Sequence, residues 1–416
     1  MINKTELSKT LIELNPWWED SKFRFDIIPR SSFSFLNKRL SNVIEIFIGA
    51  RRVGKTSIMQ GIINNLLDSG VKNNQIVYFV TDARISKELT PEDIVRFLRE
   101  KFKLSLSKRI YFFLDEIQDM QGWQRGVKYL YDNSKIKFYI TGSSNLVLRA
   151  ETSKLTGRFI LHEVLGLSFE EYLEFTKRKI YKSQSRNIDL VVEYLETGGY
   201  PEYVLNRDKQ VLANIIESTL YRDLISQYGI RNPAFLKELL DYLADKVTNN
   251  VSCQNIARDL KVNDETAKFY LKYLQDVYLI YPLFRKSKSH RISKSSVPKY
   301  YFNDTGVINL RTISSKIGSL AENAVYLHLR RKSFSKEHPD IFYNEINGVK
   351  VDFDSRHGNP IEVKFRDNLT KGDLEKYQLA EEKITFVVKK QSDLLHDTLP
   401  MHSKVTLDSF LLSKET

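Results

Sequence analysis

A chain of 416 residues is too long for one ordinary compact core and points to roughly two to four domains. With 42% hydrophobic and 28% charged residues, no apolar run near the roughly 20 residues of a membrane helix and no apolar leader of a secretory signal, it has the balance of a globular protein without a membrane partner. A lone cysteine, Cys253, excludes an internal disulfide and fits a cytoplasmic location. The formal net charge of +12 favours polyanions such as nucleic acid.

Residues 1–40 form a polar leader with a Trp17–Trp18 pair, ending in a basic stretch around Arg30 and Arg39. Short, mostly apolar strands follow at 43–48, 76–80, 110–114 and 136–140, separated by helical patterns. That alternation predicts a parallel α/β sheet covered on both faces. From Ser168 the pattern is helical, broken at Gly198-Gly199-Tyr200-Pro201. Further helices run from 232 to 280, a basic, Ser-rich stretch from 283 to 302, and mixed helix and strand from 318 to 390, with Asn347-Gly348 as a hairpin turn.

The strand at 43–48 runs into Gly49-Ala50-Arg51-Arg52-Val53-Gly54-Lys55-Thr56, which matches G-x-x-x-x-G-K-[ST]. Glycines are needed there because backbone N–H groups must wrap closely around phosphate oxygens. Gly49, Arg51, Arg52, Val53, Gly54, Lys55, Thr56 and Ser57 are therefore expected to line an ATP site. Lys55 supplies a point charge to the outer phosphates and Thr56 a hydroxyl ligand for Mg2+. Behind the loop, Ile58, Met59, Ile62, Ile63, Leu66 and Leu67 mark a helix, stopped by Asp68-Ser69-Gly70. The strand at 110–114 delivers Asp115 and Glu116 at its carboxyl end, Asp115 to hold magnesium and Glu116 to polarise the attacking water. The strand at 136–140 leads into Thr141-Gly142-Ser143-Ser144-Asn145, where Ser143 is a candidate contact to the γ-phosphate. Arg158 is a candidate for stabilising transition-state charge in its own subunit or a neighbouring one.

These residues resemble a family of prokaryotic AAA-type ATPases, prominent in archaea, with a carboxy-terminal domain of the DUF4143 type. The matching pieces are Ile28-Pro29-Arg30, Gly49 to Thr56, Leu114 to Gln118, Thr141 to Ser144, Gly157-Arg158, Leu167 to Tyr172, Gly198 to Glu202, Tyr301 to Gly306 and Val351 to Phe353. The resemblance implies an additional-strand, catalytic-glutamate core at 41–167 and a helical lid at 168–231. It also implies a winged helix at 232–312 and a nuclease-like domain at 313–416, and it places Gly199 and Pro201 near the nucleotide base.

The residues themselves support a helix-turn-helix. Ser252 can cap a helix from Cys253 to Leu260, Lys261-Val262-Asn263 makes the turn, and Asp264 can cap a second helix from Glu265 to Asp276. Ala267, Tyr270, Leu271 and Leu274 would face the core, leaving Lys268, Lys272 and Tyr273 to DNA. Arg285, Lys286, Lys288, His290, Arg291 and Lys294 then form a basic wing suited to phosphate contacts. The other reading is a protein–protein winged helix with a solvated charge run.

Near the end, Glu322 lies on a predicted helix, Asp352 on the strand 349–353, and Glu362 and Lys364 share one face of the strand 361–365. That order resembles the restriction-endonuclease-like PD-(D/E)xK nucleases, in which the carboxylates would hold magnesium and Lys364 would position water. Lys350 shares a strand face with Asp352. Folded across the carboxylates, its ammonium would make the cluster a neutralised structural site. The sequence thus points to an ATP-hydrolysing, DNA-associated protein, with an ATP-dependent nuclease and a nucleotide-switched scaffold as rivals, and with oligomerisation open.

Overall fold

The strands of the first sheet are β-branched and aromatic runs buried on both faces, which only a parallel sheet layered between helices accommodates. The computed structural model describes residues 4–38, 42–81, 89–120, 122–142, 155, 157–225, 228–230, 232–287, 295–313, 316–333, 340–355, 358–367, 370–390, 399 and 401–413. They fall into two units, Met1–Val164 and Leu165–Thr416. The first contains α1 (Lys4–Leu14), β1 (Ile44–Ile48), α2 (Lys55–Asp68), β2 (Ile76–Val80), α3 (Pro91–Phe102), β3 (Ile110–Asp115), α4 (Trp123–Asn133), β4 (Ile136–Thr141) and β5 (Phe159–Glu163). Its five strands lie in the order β2-β3-β4-β1-β5, every neighbouring pair parallel. Strand β4 is therefore inserted between the phosphate-loop strand β1 and the acid-bearing strand β3.

The leader is not a separate segment. Strand β2 is an edge, and an uncovered edge presents unpaired backbone groups. Asn15 covers one position as a second strand would, its amide donating to the Tyr78 carbonyl (2.9 Å) and accepting from the Tyr78 N–H (2.7 Å). The indoles of Trp17 and Trp18 both donate to the Ile76 carbonyl, at 3.2 and 2.8 Å. Leu7, Leu11 and Trp17 are buried, so residues expected to stand apart belong to the first core.

The second unit begins with α5 (Phe169–Phe175), α6 (Gln184–Thr197), α7 (Pro201–Asn206), α8 (Lys209–Ser218) and α9 (Pro233–Asp245). The helix-turn-helix is α10 (Cys253–Asp259) and α11 (Asp264–Asp276), followed by an antiparallel ribbon of β6 (Ile280–Leu283) and β7 (Lys299–Phe302). Ser252 caps α10 as expected, but Asn263 rather than Asp264 caps α11, accepting from the Thr266 N–H. Next come α12 (Thr305–Arg311), α13 (Ile317–Ser333), β8 (Ile341–Ile346), β9 (Val349–Ser355), β10 (Ile361–Lys364), α14 (Lys371–Glu375), β11 (Thr385–Val388), β12 (Ser403–Thr406) and α15 (Leu407–Leu412). The sheet order is β12-β11-β10-β9-β8, antiparallel from β8 to β10 and parallel from β10 to β12. Asn347 and Gly348, at φ 49° and 81°, make the expected tight turn between β8 and β9.

Two distant sequence motifs explain each other here. The buried carboxylate of Asp304 accepts from the Gly199 N–H (2.5 Å) and the Gly306 N–H (2.8 Å). A Cβ at Gly198 (φ +79°) would meet Asp304 Oδ1 at 1.9 Å, so only glycine fits that turn. Burial raises the Asp304 carboxyl to about 6 despite these hydrogen bonds. No helix among the described residues is long and apolar enough to cross a membrane.

The parallel sheet also encloses charge. Glu45 on β1 lies 2.8 Å from Lys137 Nζ on β4 and 2.7 Å from His162 Nε2 on β5, with Glu45 and Lys137 almost wholly buried. Burial alone would raise the Glu45 carboxyl, but hydrogen bonds from His162 and Lys137 outweigh it and hold it below its ordinary value. Removing one partner of such a pair leaves an uncompensated buried charge. Lys137→Ala is therefore expected to destabilise the first unit by about 3–5 kcal/mol in urea denaturation at pH 7. A lowered folded value means that the Glu45 contribution is complete above the unfolded value of 4.5 and lost as pH falls through the folded one. The acid limb of stability against pH should accordingly flatten in Glu45→Gln.

Candidate functional site

Immediately after β1, Gly49 (φ +147°) runs so close to Val164 that a Cβ would stand 2.2 Å from the Val164 carbonyl oxygen. Gly54, left-handed at φ 97°, then turns the chain into α2, whose first-turn N–H groups have no helical partner and form an anion-binding end. Lys55 is buried, and its ammonium donates to the carbonyls of Gly49 (3.0 Å) and Ala50 (2.9 Å), holding the charge at the loop. Val53 is buried, Arg51, Thr56 and Ser57 are half-buried, and Arg52 is exposed at φ 63°. The leader reaches this loop: the Arg30 guanidinium, itself buried, donates to the Val53 carbonyl at 2.9 Å. In the sequence Arg30 reads as part of the leader's basic stretch and as one piece of a family resemblance, neither of which points to the phosphate loop.

The acids meet the loop at the carboxyl end of the sheet, where parallel sheets bind ligands. Thr56 Oγ1 donates to Asp115 Oδ2 at 2.8 Å, and the Tyr78 hydroxyl donates to the same oxygen at 2.7 Å. The Thr141 hydroxyl donates to Asp115 Oδ1 and accepts from the Glu116 N–H at 3.0 Å. Glu116 takes a left-handed φ of 54°, and Gln118 Nε2 donates to its Oε2 at 2.6 Å. Tyr78 carries no site signal in the sequence, because a tyrosine in the middle of an apolar strand reads as core, whereas Thr141 belongs to the run Thr141 to Asn145 whose small hydroxyls are candidate contacts to the γ-phosphate or the attacking water. Ser143 lies outside the described residues.

The own-subunit role expected of Arg158 is corrected. This residue precedes β5 and its carbonyl accepts from the Ile44 N–H, at the amino end of β1. The phosphate loop follows the other end, the length of β1 away, roughly 16 Å at about 3.3 Å per residue. Its guanidinium pairs with Asp132 at 3.0 Å, so Arg158 does not reach the phosphate site of its own chain.

In the second unit, Glu322 on α13, Asp352 on β9 and Glu362 with Lys364 on β10 do come together, but the cation between them is not the one anticipated. Lys299 Nζ lies 3.1 Å from Glu322 Oε1 and 3.3 Å from Asp352 Oδ1. Lys350 is exposed near the hairpin, opposite Glu345. Asp352 Oδ2 accepts from the Val363 N–H (3.0 Å), Glu362 Oε2 from the Asp352 N–H (3.2 Å), and Glu362 Oε1 from Lys364 and the Tyr377 hydroxyl. Burial, then the charge of Asp352, pushes the Glu322 and Glu362 carboxyls up, while the lysines oppose the shift. Among the described residues no group of three or more His, Cys, Asp or Glu side chains is arranged to hold a metal ion. These residues do not fit magnesium.

The expected DNA-contacting residues are placed unevenly. Lys268 is exposed on α11, whereas Lys272 pairs with Asp276 at 2.7 Å. Tyr273 packs on Tyr228 with ring centroids 4.4 Å apart rather than facing solvent. The start of the wing is not a solvated charge run: the Lys286 N–H donates to the Tyr343 carbonyl (2.8 Å) and the Tyr343 N–H to the Phe284 carbonyl (3.0 Å), extending the edge at β8. Arg285 there pairs with Glu345 (3.2 Å) and Lys286 with the buried Asp354 (2.8 Å). Lys288 and Arg291, with His290 and Lys294, lie outside the described residues. Pro201 opens α7, directly after the turn closed on Asp304.

Residues 41–173 match an AAA domain, and residues 188–316 match a domain of unknown function, DUF8612, rather than the DUF4143 type expected. The chain is 32% identical over 336 residues to the uncharacterized protein MJ1544 of Methanocaldococcus jannaschii, covering 76% of this chain and 73% of that one. It is 28% identical over 339 residues to an uncharacterized protein of Haemophilus influenzae, covering 77% and 81%. Similar solved structures include the Aeropyrum pernix ORC1 protein in complex with DNA, at 12% identity and TM-score 0.31, covering 71% of this chain and 96% of that one. Another is the S. cerevisiae Hsp104–ADP complex, at 16% identity and TM-score 0.32, covering 63% and 51%. At these scores neither structure bears on the fold or function of this chain.

Arg30→Ala leaves the buried Val53 carbonyl without this donor, a loss worth about 1–3 kcal/mol. Looser phosphate-loop geometry is expected to weaken nucleotide binding roughly tenfold, measured by calorimetry. Arg30→Lys, which keeps the charge without the planar fork, should recover only part of it.

Proposed function

The chain belongs to the family of the Methanocaldococcus jannaschii protein MJ1544 and carries an AAA domain, and on that footing we propose that it is a magnesium-dependent ATPase whose second unit associates with DNA. The observation that carries the ATPase reading is the bond between Thr56 and Asp115 beside the Lys55 ammonium, which joins a hydroxyl and a carboxylate at the mouth of an anion-binding helix. Lys55 and the first-turn N–H groups of α2 bind the outer phosphates. Thr56 and Asp115 are the residues that would hold magnesium, which supplies charge neutralisation when bound. Tyr78 and Thr141 orient Asp115, and Glu116, held by Gln118, takes the proton of the attacking water. Ser143 contacts the γ-phosphate, and Arg158 serves the phosphates of a second copy of the chain.

Lys55→Ala should abolish nucleotide binding in calorimetry. Glu116→Gln should keep binding and lower phosphate release by roughly 10²–10⁴-fold. Turnover equal to wild type in both variants would sink the assignment.

The DNA reading is supported by a helix-turn-helix followed by a two-stranded ribbon, the architecture of a winged helix, with Lys268 and Phe269 exposed on α11. The mixed sheet behind α13 supports a nuclease-like fold, but carboxylates already matched by Lys299 and Lys364 lend no support to cleavage. Lys268→Ala should weaken binding to duplexes of any sequence and reduce the salt slope by about 1, and Lys272→Ala should have a smaller effect, because Asp276 engages that side chain. Arg285→Ala should have a smaller effect, because that side chain is engaged by Glu345. Undetectable binding at low salt would favour the scaffold reading instead.

A further inference from the structure

We propose that Lys299 is a built-in counter-ion that closes the Glu322–Asp352–Glu362 cluster to divalent metal and fastens the β6–β7 ribbon to the mixed sheet. Lys299 opens β7, and Tyr301, two residues on, shares its strand face. Both side chains reach the same oxygen, Oε1 of Glu322, the ammonium at 3.1 Å and the phenol at 2.6 Å. The ammonium is also 3.3 Å from Asp352, so one cation bridges carboxylates carried by a helix and a strand. Both oxygens of Asp352 and both of Glu362 already accept hydrogen bonds. A divalent ion could enter only by displacing Lys299, and until it did so the ammonium would repel it.

Charge accounting agrees with the geometry. The three carboxylates face the two ammonium groups of Lys299 and Lys364, and Tyr301, Tyr377 and two backbone N–H groups donate to what remains. Burying three such acids without partners would be prohibitive, and the second unit meets that cost from its own chain. The same solution recurs along the ribbon, where Arg285 and Lys286 meet Glu345 and Asp354 on the same sheet. A ribbon bound by three separate cations is a fixed part of this unit. The cluster is a structural tie.

The test uses the full chain without nucleotide, so that it is independent of the ATPase assignment. Calorimetric titration of the wild type with Mn2+ should give no binding up to millimolar concentrations, and Mn2+ should not raise the melting temperature. Lys299→Met should lower the melting temperature by roughly 10 °C, and adding Asp352→Asn to it should recover much of that loss by removing the stranded charge. A Lys299→Met chain that fails to fold while the double variant folds supports the proposal equally. Mn2+ binding by the wild type that disappears in Asp352→Asn or Glu362→Gln would overturn it, as would a Lys299→Met melting temperature equal to wild type.

Discussion

The carboxylate of Asp115 fixes the first unit's site, because three elements depend on it at once. It sits at the end of β3 and accepts from Thr56 on α2, Tyr78 on β2 and Thr141 on β4. A buried carboxylate must be hydrogen-bonded, and among the described residues the side-chain donors to Asp115 are three hydroxyls. The same bonds lock the relative heights of the strand ends and the first turn of α2. Glu116 inherits its place from that arrangement, since its N–H is held by the hydroxyl that holds Asp115.

Two other groups of buried carboxylates are matched by lysine. Glu45 in the parallel sheet is matched by Lys137 and His162, and the acids of the mixed sheet by Lys299 and Lys364. Buried ion pairs of this kind add little net stability over apolar packing, but they are costly to break singly, so they fix the register of the strands that carry them. The contrast with Asp115 marks the chemical difference between the clusters. A carboxylate held by neutral donors keeps its charge available to a cation, whereas one already matched by an ammonium does not.

The leader belongs to the same economy of backbone and charge. Asn15, Trp17 and Trp18 complete the exposed edge of β2, and further along Arg30 closes on the Val53 carbonyl. One segment thereby both blunts an edge strand and supports the phosphate loop. Its sequence reads as polar and irregular because its partners are backbone groups of another element, which leave no periodic signature.

By itself the sequence determined whatever rests on local spacing. The loop from Gly49 to Thr56, the acids Asp115 and Glu116, four of the five parallel strands, the cap at Ser252 and the Asn347-Gly348 turn are set by neighbouring residues. The fifth strand, Phe159–Glu163, escaped because its apolar run of Phe159, Ile160 and Leu161 is only three residues long and gives way to His162 and Glu163. Lys350 looked like the partner of Asp352 because two residues on a strand share a face, yet Lys299, far away in sequence, fills that role. By its motif Arg158 could serve its own subunit or a neighbouring one, and strand direction puts it at the wrong end of the sheet for its own. Only the tertiary structure could decide these matters: which charge neutralises which is settled by distance in space, and a strand's pattern reveals its faces but not the neighbours it will meet.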